Sequence, residues 1–197
     1  MNCSANPSGH ASLGGILLAA GGGLRLGQPK QLLEIDGEPL IRRAAANMLR
    51  LCSSAVIVVT GAHAERVEES LGEWTVTVIR NPDWPRGLGG SLATGLGAST
   101  ADAVLVMVCD QAQLELSDLQ RLVDAWASTR NQPAAASYAG VLGVPAIIPR
   151  KWFGALGTLN GDSGARDFLR NHQNIVNSVP MPNAAADIDK PADLESA

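Results

Sequence analysis

Gly15-Ile16-Leu17-Leu18-Ala19-Ala20 runs without a polar side chain into Gly21-Gly22-Gly23-Leu24-Arg25-Leu26-Gly27-Gln28-Pro29-Lys30. A short apolar run ending on glycines fits a strand buried on both faces, as in a parallel sheet. Similar runs return at 55–60, 76–79 and 103–108, and helical patterns at 64–71 and 91–98 lie between them. A further helix starts at Pro39, a favoured first-turn residue, and carries the stripe Leu40, Ala44, Met48 and Leu51. Ser117-Asp118-Leu119-Gln120 reads as a capping box, opening a helix that buries Leu119, Leu122, Val123 and Trp126. Alternation of this kind predicts a three-layer α/β fold, a mostly parallel sheet with helices on both faces. After Gln132 the regularity weakens. Strands are expected at 134–137 and 144–148 around a turn at 140–143, then short helices near Lys151 and Gly164 and a strand at 175–179.

Working outward, the chain's 197 residues suit one domain, and residues 1–13 read as a flexible N-terminal tail before a single domain over 14–197. Glycine is plentiful at 21 residues while aromatics make up 4%, so the core is aliphatic and the backbone turns tightly in several places. The net charge of −4 argues against nucleic acid or an anionic membrane surface as the main partner. No stretch approaches the ~20 apolar residues of a membrane span. Cys3, Cys52 and Cys109 cannot all pair and have no metal-ligand spacing, and Cys52 and Cys109 read as small buried hydrophobes. With no signal-peptide pattern at the start, the expected location is cytoplasmic. His10, His63 and His172 have no evident catalytic partners and read as surface residues.

In open parallel sheets, ligands bind at the carboxyl ends of the strands. The loop there fails two familiar phosphate patterns. A dinucleotide fingerprint needs Gly where Leu26 stands, and a Walker loop needs Lys where Gln28 stands. An anion site remains, because adjacent glycines let backbone N–H groups converge on phosphate oxygens. Arg25 adds a planar fork and Lys30 a mobile point charge.

Leu18 to Lys30 resembles the signature loop of nucleotidyltransferases. Asn81-Pro82-Asp83-Trp84-Pro85-Arg86-Gly87 leading to Ser91, then Cys109-Asp110-Gln111, Gly143-Val144-Pro145, Gly161-Asp162-Ser163-Gly164-Ala165-Arg166 and Asp187-Ile188-Asp189-Lys190-Pro191 follow in order. Together they are similar to the molybdenum cofactor cytidylyltransferase branch of the MobA-like NTP transferases. The chain departs from that pattern at Gly23, Leu26, Ala112 and Lys190, where Ser, Met, Pro and Thr are usual.

The resemblance implies a Rossmann-like nucleotidyltransferase fold and an Mg²⁺-dependent enzyme that transfers CMP from CTP to a pterin-phosphate acceptor of the molybdopterin type, releasing pyrophosphate. It implies that Leu18, Ala19, Ala20, Gly21, Gly22 and Gly23 hold the nucleotide with Arg25 on the β- and γ-phosphates. Lys30 would stabilise charge at the α-phosphoryl group, and Ser91 would help recognise the cytosine end. Asp110 and Asp189 would bind the metal, with Asp187 as an alternative second ligand. Gly143, Pro145, Gly161, Asp162, Gly164 and Arg166 would frame the acceptor. A molybdoenzyme or its maturation factor is a partner in keeping with this role. Pro29 stands where the guanylyltransferase branch carries Asp, which disfavours GTP. The competing readings are another NTP, another phosphorylated acceptor, or a non-catalytic nucleotide-binding accessory protein.

Overall fold

The computed structural model describes residues 11–23, 27–158 and 165–188. In chain order it contains β1 (Leu13–Ala19), a small hairpin of β2 (Glu34–Ile35) and β3 (Glu38–Pro39), α1 (Leu40–Leu51), β4 (Val56–Thr60) and α2 (Ala64–Leu71). Then come β5 (Thr77–Arg80), α3 (Leu88–Ala98), β6 (Ala103–Val108), α4 (Leu116–Ser128), β7 (Ala134–Tyr138) and β8 (Val141–Pro149). The series ends with α5 (Phe153–Leu156), α6 (Ala165–Asn171) and β9 (Asn177–Pro180). Among the described residues, no helix is long and apolar enough to cross a membrane.

Seven strands form one sheet in the order β5-β4-β1-β6-β8-β7-β9. β5, β4, β1 and β6 run parallel, and β8 is antiparallel to both β6 and β7. The sheet is buried on both faces because successive side chains of each strand point opposite ways. Leu17, Val58, Leu105 and Ile147 pack against α1, α2 and α4 on one side. Ile16, Leu18, Val106 and Ile148 pack against α3, α5 and α6 on the other.

Local details correct three expectations. β1 begins at Leu13, inside the stretch read as tail, and the Ser12 N–H and hydroxyl both donate to the Asp102 carboxylate at 2.8 Å. The capping box of α4 joins Glu115 and Asp118 rather than Ser117 and Gln120. The β7–β8 turn is the two-residue pair Ala139-Gly140, both at positive φ, and Gly143 lies within β8. Positive φ at both central residues matches the right-handed twist of the flanking strands.

Candidate active site

The parallel strands β1, β4 and β6 all end at one edge of the sheet, and the loops that leave them meet there. A cleft of about 160 Å³ opens at this edge, lined by Leu18, Gly21, Gly23, Lys30, Leu88 and Asp110. Lys30 Nζ donates to Asp110 Oδ2 at 3.1 Å, although 80 residues separate the two in the chain. Their side chains keep 18% and 22% of their surface open to solvent. The cleft therefore presents one cation and one anion to whatever enters it.

The loop after β1 is shaped by close backbone approach. Gly23 sits at φ +60°, and a Cβ there would run into the Gln28 carbonyl, so only glycine fits. Gly22 lies under the Trp84 ring, which also covers Gly61 at the end of β4. The Ala62 N–H donates to the Ala20 carbonyl at 3.0 Å, tying the two loops together. Gln31, buried to 3% exposure, donates from Nε2 to the carbonyls of Ala19 and Gly21, both at 2.8 Å. Its amide thus fixes the strand end and the loop from the residue beside Lys30.

Asp110 has a matching neighbour. Gln111 is also buried, and its Nε2 donates to the carbonyls of Val144 at 2.9 Å and Ala184 at 2.8 Å. Val144 in β8 and Ala184 near the end of the described chain are thereby held against the end of β6. The Ile188 N–H donates to the Asp110 carbonyl at 3.1 Å, and Asp187 bridges to Gln111. The chain therefore returns to the edge that carries Asp110. Upstream of this return, Asn183 donates to Asp118 Oδ2 at 2.9 Å, which anchors the returning segment on α4.

The remaining expected residues are placed as follows. Ser91 is buried beneath the first turn of α3, where its hydroxyl accepts from Asn81 Nδ2 at 3.0 Å. Asn81 in turn accepts from the Asp83 N–H, so it shapes the loop that leads into α3. Gly143 is closed off by the Tyr138 ring, and Pro145 follows Val144 across a cis peptide bond. Arg166 is exposed in the first turn of α6, at a groove shared with Leu142. Asp187 is exposed. Arg25, Gly161, Asp162, Gly164 and Asp189 lie outside the described residues.

Cys109 is buried and Cys52 half-buried, and burial pushes the Cys52 thiol up to about 12 and the Cys109 thiol higher still. Neither serves as a nucleophile, since the thiolate is the reactive form. His172 does have partners: its Nδ1 meets the Phe168 carbonyl at 2.9 Å and its ring packs on Phe168 and Trp152. Gln31 and Gln111 were not singled out as site residues from sequence. The available signal was their position, each directly after a charged residue of the cleft.

A divalent cation fits this donor set. Asp110 offers hard carboxylate oxygen, and no three His, Cys, Asp or Glu side chains converge among the described residues. Mg²⁺ suits such a site, because it takes one or two carboxylates and completes its shell with phosphate oxygens and water.

A glycine loop at the carboxyl edge of a mostly parallel sheet, with a lysine and an aspartate facing each other across it, defines a nucleotidyltransferase. The chain belongs to the MobA-like NTP transferase domain family, whose sequence model matches residues 15–176. It is 36% identical over 173 residues to nicotine blue oxidoreductase of Paenarthrobacter nicotinovorans, covering 84% of this chain and 85% of that protein. It is 30% identical over 106 residues to a probable molybdenum cofactor guanylyltransferase of Synechococcus elongatus, covering 53% and 54%. The crystal structure of Rv0371c from Mycobacterium tuberculosis H37Rv superposes with a TM-score of 0.82 at 26% identity, over 94% of this chain and 96% of that one.

Proposed function

We propose that the protein transfers CMP from CTP to the terminal phosphate of a molybdopterin-type acceptor, with Mg²⁺ and release of pyrophosphate. The observation that carries this reading is the Lys30–Asp110 pair beside the glycine loop. In the reaction an oxygen of the acceptor phosphate forms a bond to the α-phosphorus. The bond from that phosphorus to the bridging oxygen breaks, and pyrophosphate leaves. Such transfers depend on positioning and charge stabilisation rather than on a protein nucleophile.

In the free protein Lys30 rests on Asp110. An entering triphosphate offers the ammonium a competing anion, so Lys30 can turn to the α-phosphoryl oxygens while remaining in the cleft. Asp110, with Asp189 or Asp187 from the returning chain, would hold Mg²⁺, which would offset charge on the phosphates. The backbone of 18–23 and Arg25 would bind the nucleotide, and Gly161, Asp162, Gly164 and Arg166 would frame the acceptor. Ser91, buried on Asn81, would act by setting the first turn of α3 beside the base. Pro29 in place of an acidic residue supports CTP over GTP. One domain that opens with β1, a cytoplasmic location and a molybdoenzyme or maturation factor as recipient complete the proposal.

The test is a screen of the four NTPs, with and without Mg²⁺, for thermal stabilisation and then for pyrophosphate release with molybdopterin. CTP with Mg²⁺ should give the largest shift, since a ligand at 100 times its Kd stabilises by about 2.7 kcal/mol. A larger shift with GTP overturns the choice of CTP. The relationship to nicotine blue oxidoreductase favours a second reading, in which the site serves a redox reaction on nicotine blue or a similar compound. Redox conversion of nicotine blue, followed by its absorbance, without pyrophosphate release from any NTP, would establish that reading instead.

A further inference from the structure

The α1 side of the sheet carries a cavity of its own, of about 450 Å³, between α1 and the loop from β6 to α4. Its volume falls within the ~300–1,000 Å³ common for small-molecule sites. Met107 and Cys109, which line it, pack in the core on this side of the sheet, whereas Leu18 and Val108 of the Lys30–Asp110 cleft pack on the other. Among the described residues the two cavities share only Val108 and Cys109. None of the residues assigned above to nucleotide, metal or acceptor lines this second cavity.

Arg43, Asn47 and Arg50 contribute to its wall. Spacings of four and three set them along one side of α1, and the two arginines stand about 10 Å apart along the helix axis. Arg43 is oriented by the β2–β3 hairpin: its Nη1 donates to the Ile35 carbonyl at 3.3 Å and lies 3.7 Å from Asp36 Oδ2. Arg50 is exposed, and among the described residues it makes no ion pair. α1 holds three arginines and no acidic residue, in a chain whose net charge is −4. Glu38 and Gln111 also line the cavity. Gln111 is 6% exposed, and its Nε2 makes two hydrogen bonds while its Oε1 has none. Buried polar atoms are nearly always paired, so an acceptor left over in a cavity wall marks a place for a ligand's donor.

We propose that this cavity is a second binding site and takes a hydroxyl-bearing phosphomonoester, a sugar phosphate or a nucleoside monophosphate. Its phosphate lies between Arg43 and Arg50 over Asn47, and its hydroxyls donate to Glu38 and to Gln111 Oε1. A tetrahedral phosphate offers oxygens to two guanidinium forks at once, which a planar carboxylate with two oxygens does not. Carboxylate and amide oxygens accept from hydroxyl groups, which bare phosphate lacks on a sugar's scale. The site is independent of the reaction carried out in the cleft, because it uses neither Lys30 nor Asp110.

The experiment is calorimetric titration of the full chain with ribose 5-phosphate, AMP and inorganic phosphate. It is run on the wild type, Arg50→Glu, Arg50→Lys and Lys30→Ala, with melting temperatures measured on the same preparations. At least one of the two esters should bind the wild type with a Kd of about 1 mM or tighter. Inorganic phosphate should bind at least tenfold more weakly than that ester. Whichever ester binds more tightly tells a sugar phosphate site from a nucleoside monophosphate site. Arg50→Glu should weaken the ester at least tenfold at an unchanged melting temperature, since Arg50 is exposed. Arg50→Lys should keep most of the affinity, and Lys30→Ala should stay within twofold of wild type. No binding of either ester by the wild type at about 10 mM overturns the proposal. So does a loss in Lys30→Ala with none in Arg50→Glu, which would put the ester in the Lys30–Asp110 cleft. Inorganic phosphate binding as tightly as the esters overturns it too, and so does a loss in both Arg50 variants together with lowered melting temperatures, which marks a structural role.

Discussion

Lys30 Nζ and Asp110 Oδ2 meet at 3.1 Å across the cleft at the carboxyl edge of the sheet, each side chain about one-fifth open to solvent. Neither charge is sealed away, so both remain available to a ligand, and each lowers the other's cost of partial burial. If Lys30 acts on charge that develops in the transition state, Lys30→Ala should cut kcat by ~10²-fold or more with a smaller effect on nucleotide affinity. Asp110→Asn should abolish metal-dependent turnover and leave the melting temperature within a few degrees. Steady-state kinetics with a nucleotide-binding titration checks both. A loss in KM alone for Lys30→Ala would make it a binding residue.

Gln31 and Gln111 act as paired clamps, each donating two hydrogen bonds from one buried amide to backbone carbonyls. Removing a buried donor leaves its acceptors unsatisfied, at about 1–3 kcal/mol. A displacement near 1 Å at reacting groups can cost ~10²-fold in rate. Gln31→Leu should therefore raise the CTP KM, because it frees the loop that carries Gly21. Gln111→Leu should instead raise the acceptor KM and the Mg²⁺ concentration for half-maximal rate, because it frees Val144 and the returning chain from Asp110. Identical kinetic profiles for the two variants would show that neither clamp is specific to one half of the site.

How much of this was readable in advance depended on the kind of signal. β1, β4, β6 and α2 follow from apolar runs and helical spacing, and parallel strands then bring Lys30 and Asp110 to one edge. The antiparallel pairing of β8 with β6 was hidden, because an apolar run marks a strand without giving its place in the sheet. The cap of α4 was missed because two pairs three residues apart compete, and tertiary contact decided: Asp118 is held by Asn183, 65 residues away. Ala139 in a left-handed turn offers no signal, since alanine rarely adopts that conformation. The groove at α6 joins residues from the β7–β8 hairpin, α6 and β9, which no local pattern connects.

Asp118 links acid stability to the site. Burial raises its pKa, but hydrogen bonds from Asn183, the Glu115 N–H and Arg121 outweigh that and hold it below the ordinary 3.8. A depressed carboxyl contributes stability that is fully present above the unfolded value and is lost as pH falls through the folded one. The wild type should therefore lose stability as pH drops below about 4, and Asp118→Asn should be less stable at pH 7 with a flatter acid profile. Melting curves from pH 7 to pH 2.5 test this. A variant profile parallel to the wild type's would mean that Asp118 does not drive the acid loss.

The packing of α3 on the sheet separates two glycines that look alike in sequence. A Cβ at Gly95 would lie 2.7 Å from Ile16 Cγ2 and 3.2 Å from Val59 Cγ2, whereas one at Gly97 would meet nothing within 4 Å. Alanine ordinarily gains about 1 kcal/mol over glycine inside a helix, and Gly97→Ala should show a gain of up to that size. Gly95→Ala should be destabilising by about 1–3 kcal/mol, because Ile16 is fully buried and has nowhere to retreat. The effect should extend to function. Pushing α3 away from β1 shifts Leu88, at its first turn, out of the cleft that it lines with Gly21 and Asp110. Urea denaturation at constant slope, run beside the KM for CTP, resolves both effects. Gly95→Ala should lower the midpoint and raise the KM, and Gly97→Ala should raise the midpoint and leave the KM alone. An unchanged midpoint for Gly95→Ala would mean that α3 can slide on the sheet, so that the close approach at Ile16 does not set the position of the cleft wall.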